Sequence, residues 1–136
     1  MEVGKNRILL IDDEDFIREL YKRQLDLAGF QTDAFGLGEQ GLVAVKETVY
    51  DLILLDIMLP HMNGLDILKK IKADARYKNI PVILLTNLGQ DNIIKEAFAL
   101  GAKDYVIKAS YTPDQIVEKV RKVLSDSLSN EVSAGK

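Results

Sequence analysis

Three segments, "RILLID" at 7–12, "DLILLD" at 51–56 and "PVILLT" at 81–86, are short and almost continuously apolar at their centres. Runs of that kind fit central strands of a parallel sheet, covered on both faces, and so demand helices above and below them. Two further segments read as strands, "QTDAF" at 31–35 and "KDYVIK" at 103–108. The first of these is short and polar, which places it at an edge.

Helical spacing fills the intervals. Ile17, Leu20, Tyr21, Leu25 and Ala28 recur at that spacing before Gly29, a stop residue. The stretch 37–49 is weaker because Gly38 and Gly41 lower its helix propensity. Leu65, Leu68 and Ile71 form a third stripe, and Ile94, Ala97 and Phe98 a fourth that closes at Gly101. In the last, Thr112 is placed to cap, Pro113 to occupy the first helical position, and Ile116, Val120, Val123 and Leu124 to face inward. The pattern is α/β, a (βα)5 doubly wound five-stranded parallel sheet, since each connection is long enough for a right-handed crossover. It forms one domain over residues 1–128. The polar segment "SNEVSAGK" at 129–136 is expected to be a frayed tail, with too few residues for an output domain.

Composition narrows the function. A net charge of −3 with 29% charged residues gives no field that would attract DNA or an anionic membrane, so direct nucleic-acid binding is not expected. The lack of cysteine excludes disulfides and thiolate chemistry and suits a reducing compartment. No apolar run approaches the ~20 residues of a membrane helix, and "MEVGKNR" does not lead into a signal peptide. The expectation is a soluble cytoplasmic domain.

In such sheets ligands bind beyond the carboxyl ends of the strands. Strand one ends in Asp12, Asp13 and Glu14, strand three in Asp56, strand four in Thr86 and strand five in Lys108. A phosphate-binding loop would be glycine-rich here, whereas "DDED" repels anions and invites a cation. Carboxylates without nearby His or Cys favour a hard ion such as Mg²⁺. Each residue alone has an ordinary reading: Asp13 or Asp15 as a helix cap, Thr86 as a β-branched strand residue, Lys108 as a solvated charge. Their meeting at one sheet edge favours a site, because crowded acids need a neutralising cation.

The motifs "LLIDDE", "LLDIMLPHMNG", "LLTN" and "GAKDYVIK" together resemble the receiver domains of two-component response regulators, from about Arg7 to about Leu128. The resemblance implies the CheY-like, flavodoxin-like strand order 2-1-3-4-5, which the residues alone do not dictate. It implies that Asp56 is the phosphoacceptor, served by a histidine kinase or histidine phosphotransfer protein. Asp13 and Asp56 would ligate Mg²⁺, Asp12 would hold a metal-bound water, and the Met58 carbonyl would be a further ligand. Thr86 and Lys108 would contact the phosphoryl oxygens. Thr86 and Tyr105 would form the switch that alters the face of the fourth helix, fifth strand and fifth helix, where an unknown downstream partner docks. Pro60 and Gly64 match the loop after the acceptor.

Two positions depart from that family pattern. Ala109 follows Lys108 where proline is usual, so a trans bond is expected there, and Asn87 follows Thr86 where a small residue is usual. Met58 and Leu88, flanking the acceptor, are apolar and offer no hydrogen bond to an attacking water. His61 reads as an exposed loop residue. The alternatives are a non-phosphorylated interaction module of the same fold and an aspartate-nucleophile phosphohydrolase. The latter would need a second acid at position 58, which is Met58. The chain is therefore expected not to be an enzyme with steady turnover, but to contribute groups to its own phosphorylation and dephosphorylation.

Overall fold

The computed structural model describes residues 6–87 and 91–134, with side chains described through residue 126. Strands β1 (Arg7–Ile11), β2 (Gln31–Phe35), β3 (Leu52–Asp56), β4 (Val82–Thr86) and β5 (Asp104–Ile107) alternate with helices α1 (Asp15–Leu27), α2 (Gly38–Glu47), α3 (Gly64–Ala73), α4 (Asp91–Ala99) and α5 (Pro113–Ala134). Every strand pairing is parallel, and the order across the sheet is β2-β1-β3-β4-β5. The doubly wound (βα)5 sheet and its 2-1-3-4-5 order are as expected. Polar β2 is at an edge.

The apolar runs lie at the centre because successive side chains of a strand point to opposite faces, and here both faces are covered. Leu9, Ile11, Ile53, Leu55 and Leu84 pack with Ala44 of α2, Leu68 of α3 and Ala97 of α4. On the other face Ile8, Leu10, Leu54, Ile83 and Leu85 meet Tyr21 and Leu25 of α1 and Val120 of α5. Each fully buried aliphatic side chain contributes roughly 1.5–3 kcal/mol, set against the entropy of ordering it.

Helix ends follow local chemistry. Gly29 and Gly101 adopt positive φ, 102° and 109°, and stop α1 and α4. At α5, Thr112 Oγ1 accepts from the Gln115 N–H (3.2 Å) while the Thr112 N–H donates to Gln115 Oε1 (2.8 Å), a reciprocal capping box ahead of Pro113.

The structure differs from expectation in four places. Phe98 is 44% exposed, and its ring meets Tyr105 edge-on at 6.1 Å instead of entering the core. Ile67 and Val117 are buried although the stripes omit them. Neither Asp13 nor Asp15 caps α1; the cap position is Glu14, without a side-chain cap bond, and Asp15 pairs with Arg18 at 2.7 Å. Helix α5 continues through Ala134, into the stretch expected to fray, because no glycine or proline interrupts it between Pro113 and Gly135.

Candidate functional site

Because the strands are parallel and in register, their carboxyl ends form one edge. Ile11 lies beside Leu55, Asp56 beside Leu85, and Thr86 beside Ile107, so Asp12, Asp56, Thr86 and Lys108 come to the same rim. These four are the polar side chains buried there, at 0%, 1%, 6% and 8% exposure. Asp13 is exposed beside them.

The two buried aspartates are oriented alike. Asp12 Oδ1 accepts the N–H of Glu14 (2.9 Å), and Asp56 Oδ1 accepts the N–H of Met58 (3.0 Å), each two residues onward. Each second oxygen is held by Lys108, whose Nζ lies 2.8 Å from Asp12 Oδ2 and 3.0 Å from Asp56 Oδ2. The chain thus fixes one oxygen locally and the other through a strand end more than fifty residues away. The Lys108 ammonium also donates to Glu14 Oε1 at 2.6 Å. Lys108 itself starts a 3-10 turn (Lys108–Ser110), and the bond to Ala109 is trans, as are all peptide bonds among the described residues.

Electrostatics follow from burial. Desolvation pushes the Asp56 carboxyl up to about 6, with Asp12 adding to the rise and Lys108 opposing it. Asp12 is raised for the same leading reason. Burial alone would lower the Lys108 ammonium, but Asp12, Glu14 and Asp56 outweigh it and raise its pKa. The Lys108 hydrogen bond holds Glu14 below its usual range.

Asp12, Asp13 and Asp56 can each offer an oxygen such that all three lie within 4.8 Å of one another. An all-oxygen set with no thiolate or imidazole fits a hard divalent cation, and two of its members are buried carboxylates made harder to ionise by desolvation, with Asp12 beside Asp56 adding to the effect. The arrangement can therefore hold a metal ion and present an ionised carboxylate beside an ammonium.

Thr86 and Tyr105 share a face of the sheet. Leu84 is in register with Tyr105, and Thr86 follows Leu84 by two residues. Tyr105 is half-buried on β5 and packs against the core. The Met58 side chain is 68% exposed. Leu88 lies outside the described residues. The loop after Asp56 passes through Pro60 to Gly64, whose N–H donates to the Ile57 carbonyl at 2.8 Å. A Cβ at Gly64 would collide with the Asp56 carbonyl oxygen and Ile57 Cα, which explains the glycine in backbone terms.

Sequence reasoning missed two contacts. Glu14 was visible as the third acid after strand one, but nothing in the spacing reports its bond to Lys108. Asn87, seen only as a bulky residue beside Thr86, lies near enough to Glu14 to help hold its carboxyl below the usual range.

Comparison with known proteins agrees with this geometry. The family model described as response regulator receiver domain matches residues 8–121. The chain is 37% identical over 121 residues to the DNA-binding response regulator MtrA of Mycolicibacterium smegmatis, covering 89% of this chain and 51% of that protein. It is 35% identical over 127 residues to the transcriptional regulatory protein SrrA of Staphylococcus aureus, covering 93% and 51%. The chain thus spans about half the length of these curated relatives. A response regulator receiver domain protein (CheY-like) from Methanospirillum hungatei JF-1 superimposes with a TM-score of 0.87 at 24% identity, over 93% of this chain and 99% of that one, a likeness of fold. Five parallel strands that bring buried acids to one rim, a family model spanning most of the chain and relatives above 30% identity together mean that this chain belongs to the response regulator receiver domains, the phosphoacceptor modules of two-component signalling.

Proposed function

We propose that Asp56 is the phosphoacceptor, taking its phosphoryl group from a histidine kinase or a histidine phosphotransfer protein. The observation that carries this is the Lys108 ammonium bonded to both buried aspartates at the sheet edge. An Asp56 carboxylate oxygen attacks phosphorus; its O–P bond forms as the bond from phosphorus to the donor's histidine nitrogen, or to an acyl oxygen, breaks. The electron pair leaves with the donor. Ionised at neutral pH, Asp56 needs no base. Lys108 would place positive charge against the transferred oxygens, and the Thr86 hydroxyl would move toward them.

Asp13 and Asp56, with the Met58 carbonyl and with Asp12 through a water, would hold Mg²⁺. When bound, that ion supplies charge neutralisation to the transferring group. Withdrawal of Thr86 toward the phosphoryl group would free space for Tyr105 to turn inward, altering the α4-β5-α5 face for a downstream partner. The receiver unit is residues 1–128, followed by 129–136.

The same reading makes the segment a cytoplasmic signalling module that contributes groups to its own phosphorylation and dephosphorylation. MtrA is described as DNA-binding, and the match covers 51% of it. A net charge of −3 supports placing any nucleic-acid contact outside this segment, and no helix among the described residues is long and apolar enough to cross a membrane. The test is intact-mass measurement after incubation with acetyl phosphate. One phosphoryl mass should be gained with Mg²⁺ and not in chelator, and Asp56→Asn should gain none. Equal labelling of Asp56→Asn would refute the assignment.

A further inference from the structure

Asp12 is held at its backbone as firmly as at its carboxylate. Its N–H donates to the Phe35 carbonyl at 3.0 Å, and its own carbonyl, past the last strand pairing of β1, accepts from Arg18 Nη1 at 2.9 Å. A peptide unit is planar, so a bond to its oxygen or its N–H sets the whole plane. Arg18 holds the plane between residues 12 and 13 through the Asp12 oxygen. Asp12 Oδ1 holds the next plane, between 13 and 14, through the Glu14 N–H at 2.9 Å. Asp13 Cα lies between the two. Its exposed carboxylate is therefore aimed by the backbone toward the cluster it forms with Asp12 and Asp56.

Arg18 is in turn held from two sides. Its Nη2 donates to Asp15 Oδ1 at 2.7 Å, and the guanidinium lies against Gly36, the residue after β2. A Cβ at Gly36 would stand 2.9 Å from Nη1 and 3.5 Å from Cζ. Gly36 is not among the glycines of positive φ, so the space it leaves for Arg18, and not its backbone conformation, accounts for the residue.

We infer that Arg18 is a positioning residue for the metal: lodged in the gap left by Gly36, it fixes the Asp12–Asp13 peptide and so preorganises Asp13 as a Mg²⁺ ligand. The inference rests on the reading of the acid cluster as the Mg²⁺ site that serves Asp56. A guanidinium near acids also repels a cation, so its charge and its geometry act in opposite directions. Asp15 pairs with that charge at a site open to solvent, which weakens the repulsion and leaves geometry the larger effect.

The test measures Mg²⁺ affinity by NMR titration, and the rate of phosphoryl-mass gain from acetyl phosphate as a function of Mg²⁺. Arg18→Met removes both the bond and the charge. Gly36→Ala keeps the charge and displaces the guanidinium, at small cost to folding because the atoms it meets are the far end of a flexible side chain. Each should weaken Mg²⁺ and raise the half-saturating Mg²⁺ for labelling by about 10-fold, the lower end of the loss when a group that orients a metal ligand is removed. The rate at saturating Mg²⁺ should stay within about 2-fold of the unaltered chain. The double variant should be no worse than Arg18→Met alone, since Gly36 acts only through the guanidinium. Unchanged Mg²⁺ affinity in both single variants would overturn the inference, and so would tighter binding by Arg18→Met, which would make the effect one of charge. A lower rate at every Mg²⁺ concentration with unchanged affinity would reduce Arg18 to a structural role and overturn it equally. No labelling of an unaltered chain that still binds Mg²⁺ would defeat the assignment of Asp56 instead, and the NMR titration would then decide Arg18 by itself.

Discussion

His61, the sole histidine, is the described non-glycine residue with positive φ, at 66°. The left-handed region costs an ordinary residue roughly 1–2 kcal/mol, whereas glycine enters it freely at the expense of a more flexible unfolded chain. His61 is exposed, so little packing offsets that strain. His61→Gly should therefore stabilise the fold by about 0.5–1 kcal/mol, read as a higher urea midpoint at unchanged slope. A lower midpoint would mean that the imidazole makes a compensating contact. At this scale the sequence was legible where a residue's place follows from strand direction alone. Asp12, Asp56, Thr86 and Lys108 all end strands, and parallel pairing brings them together whatever the loops do. The bond from Lys108 to Glu14 depends on the path of the chain between β1 and α1, and the place of Asn87 near Glu14 on the path after β4. Neither path has a periodicity to read. The positive φ of His61 was hidden for the same reason.

The β3–α3 connection is the element on which the acceptor depends most directly. Asn63 caps α3 by accepting the Leu65 N–H at 2.7 Å, and Gly64 brings the helix start against the backbone of Asp56 and Ile57. A side chain at 64 cannot be relieved by a rotamer change, because the atoms it meets are main chain. Gly64→Ala should cost about 1–3 kcal/mol or more, as overpacking does, and should also slow phosphorylation by shifting Asp56 relative to Lys108. Denaturant titration and mass-monitored labelling check the two halves, and an unchanged midpoint would show that the connection is looser than the contacts imply. Elements with clean boundaries were readable in advance. Gly29 and Gly101 ended α1 and α4, and Thr112 with Pro113 opened α5. The far end of α5 was not, since polar composition was read as fraying although helix propensity has no breaker before Gly135. Phe98 fell on the helical stripe of α4, yet its large ring lies at the margin against Tyr105, where periodicity cannot separate core from rim.

Across the whole molecule, two aspartates and a lysine are buried at the edge of an apolar sheet, so folding stability is tied to pH. The Asp56 carboxyl titrates near 3.8 as a free side chain and at about 6 when folded without metal. Below about pH 4 both states are protonated and the group imposes no penalty. Between about 4 and 6 the folded state retains a proton that the unfolded state releases, so its contribution to stability falls as pH rises and is fully lost above the folded value. Asp12 acts in the same direction, while the lowered Glu14 opposes it from a more exposed position. Asp56→Asn removes the largest of these terms. In chelator it should gain stability over the unaltered chain between pH 4 and 7, by on the order of 2 kcal/mol, and Mg²⁺ at neutral pH should raise the midpoint of the unaltered chain and leave the variant largely unmoved. A pH-independent difference between the two proteins would mean that Lys108 already neutralises the acid in full. The claim underlying all of this is chemical, that the buried carboxylate at the end of β3 becomes an acyl phosphate. Borohydride reduces such an anhydride to an alcohol and turns a phosphorylated aspartate into homoserine. Peptide mapping after treatment with acetyl phosphate, Mg²⁺ and borohydride should find homoserine at position 56. Homoserine at position 12 or 13, or none in a chain that has gained phosphoryl mass, would contradict the account.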